Sequence, residues 1–223
     1  STIEQSVEVL KLGLSLGLQR IDTAELYGDG CTEEIVGKAI AGAPREKVHI
    51  TSKVWRTHMH HDDVLRAAEQ SLGRMKTPYL DLYLVHWPST DVPLQETMRA
   101  MEKLADTGLA KSIGVSNFSI AQIEAAQSYL SNTKLTALQI EYNLLNQSVR
   151  RDLIPYCKAN SIEVIAYRPF AKGKLTGHHS ATVEALAKKY GKTANQIALN
   201  WILAQGIVAI PATLNTGHLR ENV

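Results

Sequence analysis

Leu80-Asp-Leu-Tyr-Leu-Val-His86 and Ala110-Lys-Ser-Ile-Gly-Val-Ser116 bracket a helical period of Leu94, Met98, Met101, Leu104 and Ala105. Both flanking runs are short and mostly apolar on each side of a pleat, the pattern of strands covered on both faces. Pro93 opens the intervening helix and Gly108 follows its end, the places where each residue is favoured. Two strands joined by such a crossover helix pair in parallel.

The same alternation repeats outward from this unit. Runs at Leu18–Thr23, Val48–Val54, Ala137–Tyr142, Glu163–Tyr167 and Ile207–Pro211 also read as strands, seven in all. Thr193-Ala-Asn-Gln196 is a capping box ahead of Ile197, Leu199 and Ile202, and Ser1-Thr-Ile-Glu4 opens the first helix similarly. Alternation along the whole length predicts an α/β protein with a parallel sheet, best closed as a (β/α)8 TIM barrel. That barrel needs eight strands and this chain opens on a helix. The first strand is therefore expected upstream of Ser1, with a further tail after Val223. Residues 1–223 read as one domain, without linker, repeat or low-complexity tract. An open, doubly wound sheet fits less well: Gly28-Asp-Gly30 stands alone after a tyrosine, outside the turn that Gly-x-Gly-x-x-Gly would occupy.

Composition narrows the function. The 223 residues are 44% hydrophobic with a net charge of +2, and no run of like charge suggests nucleic acid or a membrane surface as partner. The longest apolar stretch, near Ala198–Pro211, is broken by Asn200, Gln205 and Gly206, so no bilayer span is expected. Cys31 and Cys157 are far apart and lack metal-type spacing, which favours inert thiols in a reducing compartment. A cytoplasmic monomer acting on a small molecule is the resulting expectation.

Four polar residues stand at or just past strand ends: Asp22, Tyr27, Lys53 and His86. In a strand–helix barrel these ends share the face where chemistry occurs. Hydride addition to a carbonyl leaves charge on oxygen, so a proton donor or polarising group is needed there. A phenol, with a reference pKa of ~10, is a weak donor at neutral pH. A neighbouring ammonium stabilises the phenolate, a carboxylate keeps the ammonium charged and oriented, and an imidazole can set the carbonyl's angle.

Ile21-Asp-Thr-Ala-Glu-Leu-Tyr27-Gly, Ile50-Thr-Ser-Lys53-Val-Trp55 and Leu82-Tyr-Leu-Val-His86-Trp87-Pro88 closely resemble the aldo-keto reductase superfamily, in particular its small prokaryotic members such as diketogluconate and methylglyoxal reductases. Ile113-Gly-Val-Ser116-Asn117-Phe118, the strand containing Gln139, Tyr167-x-Pro169 and Arg220-Glu-Asn222 extend the resemblance over essentially the whole chain. The resemblance implies a (β/α)8 barrel that uses NADPH or NADH to reduce aldehydes or ketones. It would make Tyr27 the general acid, Lys53 and Asp22 its tuning pair, and His86 the group that orients the carbonyl. Ser116, Asn117 and Gln139 would hold the carboxamide, Tyr167 would stack on the nicotinamide, and Glu221 and Asn222 would contact adenine. Trp55 and Trp87 would line the substrate pocket, and the short Pro88–Pro93 loop would leave it open. An alternative within the same resemblance is a nicotinamide-binding regulatory subunit with weak catalysis.

Two departures bear on the cofactor. NADPH-preferring members carry Lys where Ala212 stands and Arg where His218 stands, so the 2′-phosphate site is expected to be weakened. Thr213, Asn215 and the start of the following helix could still hydrogen-bond a phosphate or a ribose, and Arg220 or Lys172 could restore a cation. Arg168 replaces a common Ser, where it could pair with the diphosphate or an acidic substrate, or form a surface ion pair. His58, His60 and His61 read as a solvated loop rather than a metal site, with His60 or His61 near the substrate mouth. His178 and His179 read as part of a mobile loop beyond Tyr167.

Overall fold

The computed structural model describes residues 2–175 and 181–223; His178 and His179 lie outside them. Two compact units divide the chain, Ser1–Ala137 and Leu138–Val223.

In the first unit the elements alternate as α1 (Ile3–Ser15), β1 (Arg20–Asp22), α2 (Cys31–Ile40), β2 (His49–Val54), α3 (His61–Met75), β3 (Leu82–Val85), α4 (Leu94–Asp106), β4 (Ile113–Ser116) and α5 (Ile120–Ser128). β5 (Leu135–Glu141) starts in this unit and ends in the next. The first four strands pair in parallel and in chain order. All residues of β3 and β4 are buried, as the unbroken apolar runs required. α4 begins after Pro93 and ends ahead of Gly108, whose φ of 75° only glycine adopts without strain. Gly114 has a different reason to be glycine: a Cβ there would lie 2.4 Å from the Ala137 carbonyl oxygen.

The second unit holds α6 (Leu153–Ala159), β6 (Glu163–Tyr167), α7 (Ala181–Tyr190), α8 (Ala194–Leu203), β7 (Val208–Ile210) and α9 (Thr216–Glu221). β6 and β7 are parallel, with Ile165 opposite Val208 and Tyr167 opposite Ile210. The capping box expected at Thr193 is present, with Thr193 and Gln196 each accepting the other's backbone N–H. Ala171, Leu175 and Ala198 form a small core that Leu144 and Phe170 cover.

All seven strands expected from the sequence form, β6 with the expected bounds and the other six with shorter or shifted ends. Leu80 and Ala110 make only an isolated parallel bridge ahead of β3 and β4. Pro211 stays outside β7, having no N–H to give a ladder. Among the described residues no helix is long and apolar enough to cross a membrane.

Candidate active site

Strand register decides which side chains in the first unit share a face. Asp22 lies opposite Thr51, Lys53 opposite Leu84, and Leu84 opposite Gly114. Side chains alternate across a pleat, so Asp22, Lys53, His86 and Ser116 all fall on one face at the carboxyl ends of successive strands. Ser52, one residue off this set, points the other way and donates to the buried Glu33 carboxylate of α2 at 2.5 Å.

Lys53 is fully buried, and its ammonium donates to Asp22 Oδ1 at 2.5 Å and to the Thr23 carbonyl at 2.7 Å. A buried ammonium without such partners would be strongly disfavoured. The same nitrogen is 5.0 Å from the centroid of the Tyr27 ring. Tyr27, on the turn after β1, is 38% exposed and so open to solvent and small molecules. Its ring meets His86 edge-on at 5.7 Å, and Trp55 meets His86 edge-on at 5.1 Å. The imidazole thus meets two aromatic rings edge-on with the ammonium nearby. His86 Nδ1 is buried without a hydrogen-bond partner among the described residues. Trp87 is 41% exposed.

Ser116 is buried at the end of β4, and Asn117 follows with a left-handed φ of 64°. That turn lets the Asn117 amide donate to the His86 carbonyl at 3.1 Å and to Ser116 Oγ at 3.0 Å. Ser119, not Ser116 or Asn117, caps α5 through a box with Gln122. The strand-end pair is therefore released from capping duty.

In the second unit Gln139 is buried and Tyr167 half-buried. Arg168 has a φ of 54°, its backbone carbonyl accepts from Asn143, and its guanidinium is 2.9 Å from Glu141 Oε2. Of its expected roles, it is the surface ion pair that the geometry contains. Ala212 and His218 are exposed. The first N–H groups of α9 are not open as expected: Asn215 Oδ1 accepts from Gly217 and His218 at 2.8 and 3.1 Å. Thr213 Oγ1 accepts the Asn215 N–H at 3.1 Å. Glu221 ends α9, its carbonyl held by Gln196, and Asn222 caps it.

The histidines of the β2–α3 turn separate rather than converge. His58 pairs with Glu25, His60 with Glu96, and His61 with Asp62. No cluster suited to a metal exists among the described residues. Cys157 is buried, which pushes its thiol up to about 11, whereas Cys31 opens α2 and is partly exposed. Glu25 is a residue that sequence reasoning passed over inside a quoted motif; its one signal was an acid two places before Tyr27.

Burial, and after it the Lys53 charge, bring the His86 pKa down to about 4. The imidazole is neutral throughout the physiological range. An unfolded chain takes up this proton below ~6.5 while the folded one resists until about 4, so stability falls as pH drops through that window. The component is complete above pH ~6.5 and amounts to about 3 kcal/mol. Urea unfolding of wild type should therefore lose roughly 2–3 kcal/mol more than His86→Asn between pH 7 and 4.5. Equal losses in the two proteins would contradict this environment for His86.

The aldo/keto reductase family model matches residues 1–223. Methylglyoxal reductase YeaE of Escherichia coli is 37% identical over 220 residues, covering 97% of this chain and 77% of that protein. The thermostable aldo-keto reductase Tm1743, solved with the inhibitor epalrestat, aligns at a TM-score of 0.95 and 44% identity over 100% of this chain and 81% of its own. An aldo/keto reductase from Klebsiella pneumoniae, solved with NADP and acetate, aligns at 0.91 and 37% identity over 99% and 78%. With strand–helix alternation and strand-end polar groups of this kind, the chain belongs to the aldo/keto reductase family and is an oxidoreductase of the (β/α)8-barrel class.

Proposed function

We propose that the chain reduces the aldehyde or ketone group of small carbonyl compounds, with Tyr27 as proton donor. The observation that carries this is the fully buried Lys53 ammonium, fixed by Asp22 and Thr23, beside a partly exposed phenol. A bound reduced nicotinamide supplies the hydride. As hydride adds to the carbonyl carbon, negative charge builds on oxygen, and the Tyr27 hydroxyl gives that oxygen its proton. Charge then left on the phenol faces Lys53. Two of the three ammonium donors are taken by Asp22 and Thr23, leaving the third for the phenolic oxygen. Exposure of Tyr27 lets water return the proton.

His86 cannot be the acid in this scheme because it is already neutral. It contributes a hydrogen bond instead. We assign its proton to Nε2, with Nδ1 the bare nitrogen. The Nε2–H then steers the carbonyl oxygen toward the Tyr27 hydroxyl. Trp55, in edge contact with His86, would wall the substrate site. The relative named methylglyoxal reductase supports a small aldehyde or dicarbonyl as substrate.

The chain's groups fit a nicotinamide cofactor. Ser116 carries a hydroxyl at the strand end, where Asn117 spends its two amide N–H groups on His86 and Ser116, and the second unit carries Gln139 and Tyr167 for the carboxamide and ring. Thr213, Asn215, His218, Glu221 and Asn222 are assigned to the adenosine end. Arg168 would reach a diphosphate only by leaving Glu141. With Ala212 and His218 in place of two cations, up to two charge-assisted hydrogen bonds of roughly 1.5–3 kcal/mol each are absent from the 2′-phosphate. NADH is therefore accepted alongside NADPH.

Tyr27→Phe is expected to lower kcat for methylglyoxal by about 10²–10⁴-fold, with the dissociation constant for NADPH held within roughly threefold. A variant keeping more than about a tenth of the wild-type kcat would remove Tyr27 from the acid role. For the wild type, kcat/KM with NADPH should exceed that with NADH by no more than about tenfold. A hundredfold preference for NADPH would refute the relaxed cofactor choice.

A further inference from the structure

Glu25 lies on the turn that carries Tyr27, and its side chain is only 7% exposed. Its Oε1 accepts the Trp55 backbone N–H at 2.5 Å and lies 3.0 Å from His58 Nδ1. Its own N–H donates to the Lys53 carbonyl at 3.4 Å. The segment it grips is a closed turn, with the His58 N–H donating to the Trp55 carbonyl at 2.9 Å. One carboxylate therefore ties the turn bearing the proton donor to the turn bearing an aromatic wall.

A buried acid needs a reason to be there, since leaving it unpaired is costly. Glu25 meets that cost with one backbone donor and one imidazole, and neither partner belongs to the proton-transfer set. The Trp55 ring is placed by its edge contact with His86 and by the Arg56 guanidinium 5.6 Å from the ring. Both contacts act on the ring; Glu25 acts on the backbone from which the ring projects. A shift of that backbone moves the ring against His86 and changes the width of the pocket there.

We infer that Glu25 is a positioning residue that sets the Trp55 wall, and through it the fit of the carbonyl substrate; this rests on the carbonyl-reductase reading above. It touches no reacting atom, so its removal should raise KM and spare kcat. A tie with no bearing on the pocket would lower stability alone.

The test uses the full chain labelled with 5-fluorotryptophan, whose three resonances are assigned with Trp-to-Phe variants. Glu25→Met keeps the volume but removes the acceptor. It should move the Trp55 resonance while leaving that of Trp201 in place. With methylglyoxal it should raise KM at least about tenfold, with kcat within roughly threefold. Glu25→Gln, which retains an acceptor for the Trp55 N–H, should return both readouts close to wild type. In a Trp55→Ala background Glu25→Met should add nothing to KM. Should the Met variant not fold, Glu25→Asp, too short to reach Trp55 N, supplies the same comparison. An unmoved Trp55 resonance, a KM within about twofold of wild type, or a loss confined to kcat would overturn the inference. If the wild type turns over no methylglyoxal with either cofactor, the carbonyl-reductase reading fails, and the fluorine spectra still decide whether Glu25 places Trp55.

Discussion

The ammonium of Lys53 sits where water cannot reach it, and much of the chemistry proposed for the first unit follows from how it is held. A buried ion pair is poor evidence of stabilisation, because desolvation consumes most of the attraction. Asp22 and the Thr23 carbonyl lessen that cost without removing it. The positive charge then acts on its neighbours in low dielectric. It helps hold His86 neutral, and it faces the ring of Tyr27. In the proposed mechanism this one charge, maintained at some expense to the fold, would sort two proton-carrying groups into a donor of protons and a donor of hydrogen bonds.

Much of this arrangement was legible in the residues. Strands buried on both faces write themselves as apolar runs, so β3 and β4 were plain, and strand ends in such a fold share one face. Asp22, Lys53 and His86 could be grouped because each closes such a run. Strand ends were less clear. Leu135 and Thr136 belong to β5 although the half-polar pattern hid them, and the ladder at β1 is only Arg20–Asp22 because Leu18 turns partly to solvent. Local polarity governs the run, whereas the neighbouring strand governs the ladder.

Long-range polar ties were not legible. Glu25 finds a backbone N–H some thirty positions along the chain, and a backbone donor leaves no trace in residue identity. Of three close histidines read as a solvated loop, His58 and His60 are taken by the distant carboxylates Glu25 and Glu96, while His61 pairs with its neighbour Asp62. Asn215 was expected to meet a phosphate or a ribose, and nothing in that expectation foretold that its side chain satisfies the start of its own helix. In each case the sequence supplies a polar group, and the partner is chosen by packing.

The most direct test of the Lys53 account is the turnover of the folded double variant Asp22→Leu/Lys53→Met, with folding verified by urea unfolding. Removing both charges together leaves no orphan ion, so stability should stay within about 1–2 kcal/mol of wild type. Turnover of methylglyoxal should fall by about 10²-fold or more, because the oxygen left on Tyr27 then has no cation to face. A folded double variant that reduces methylglyoxal within about tenfold of the wild-type rate would contradict the account.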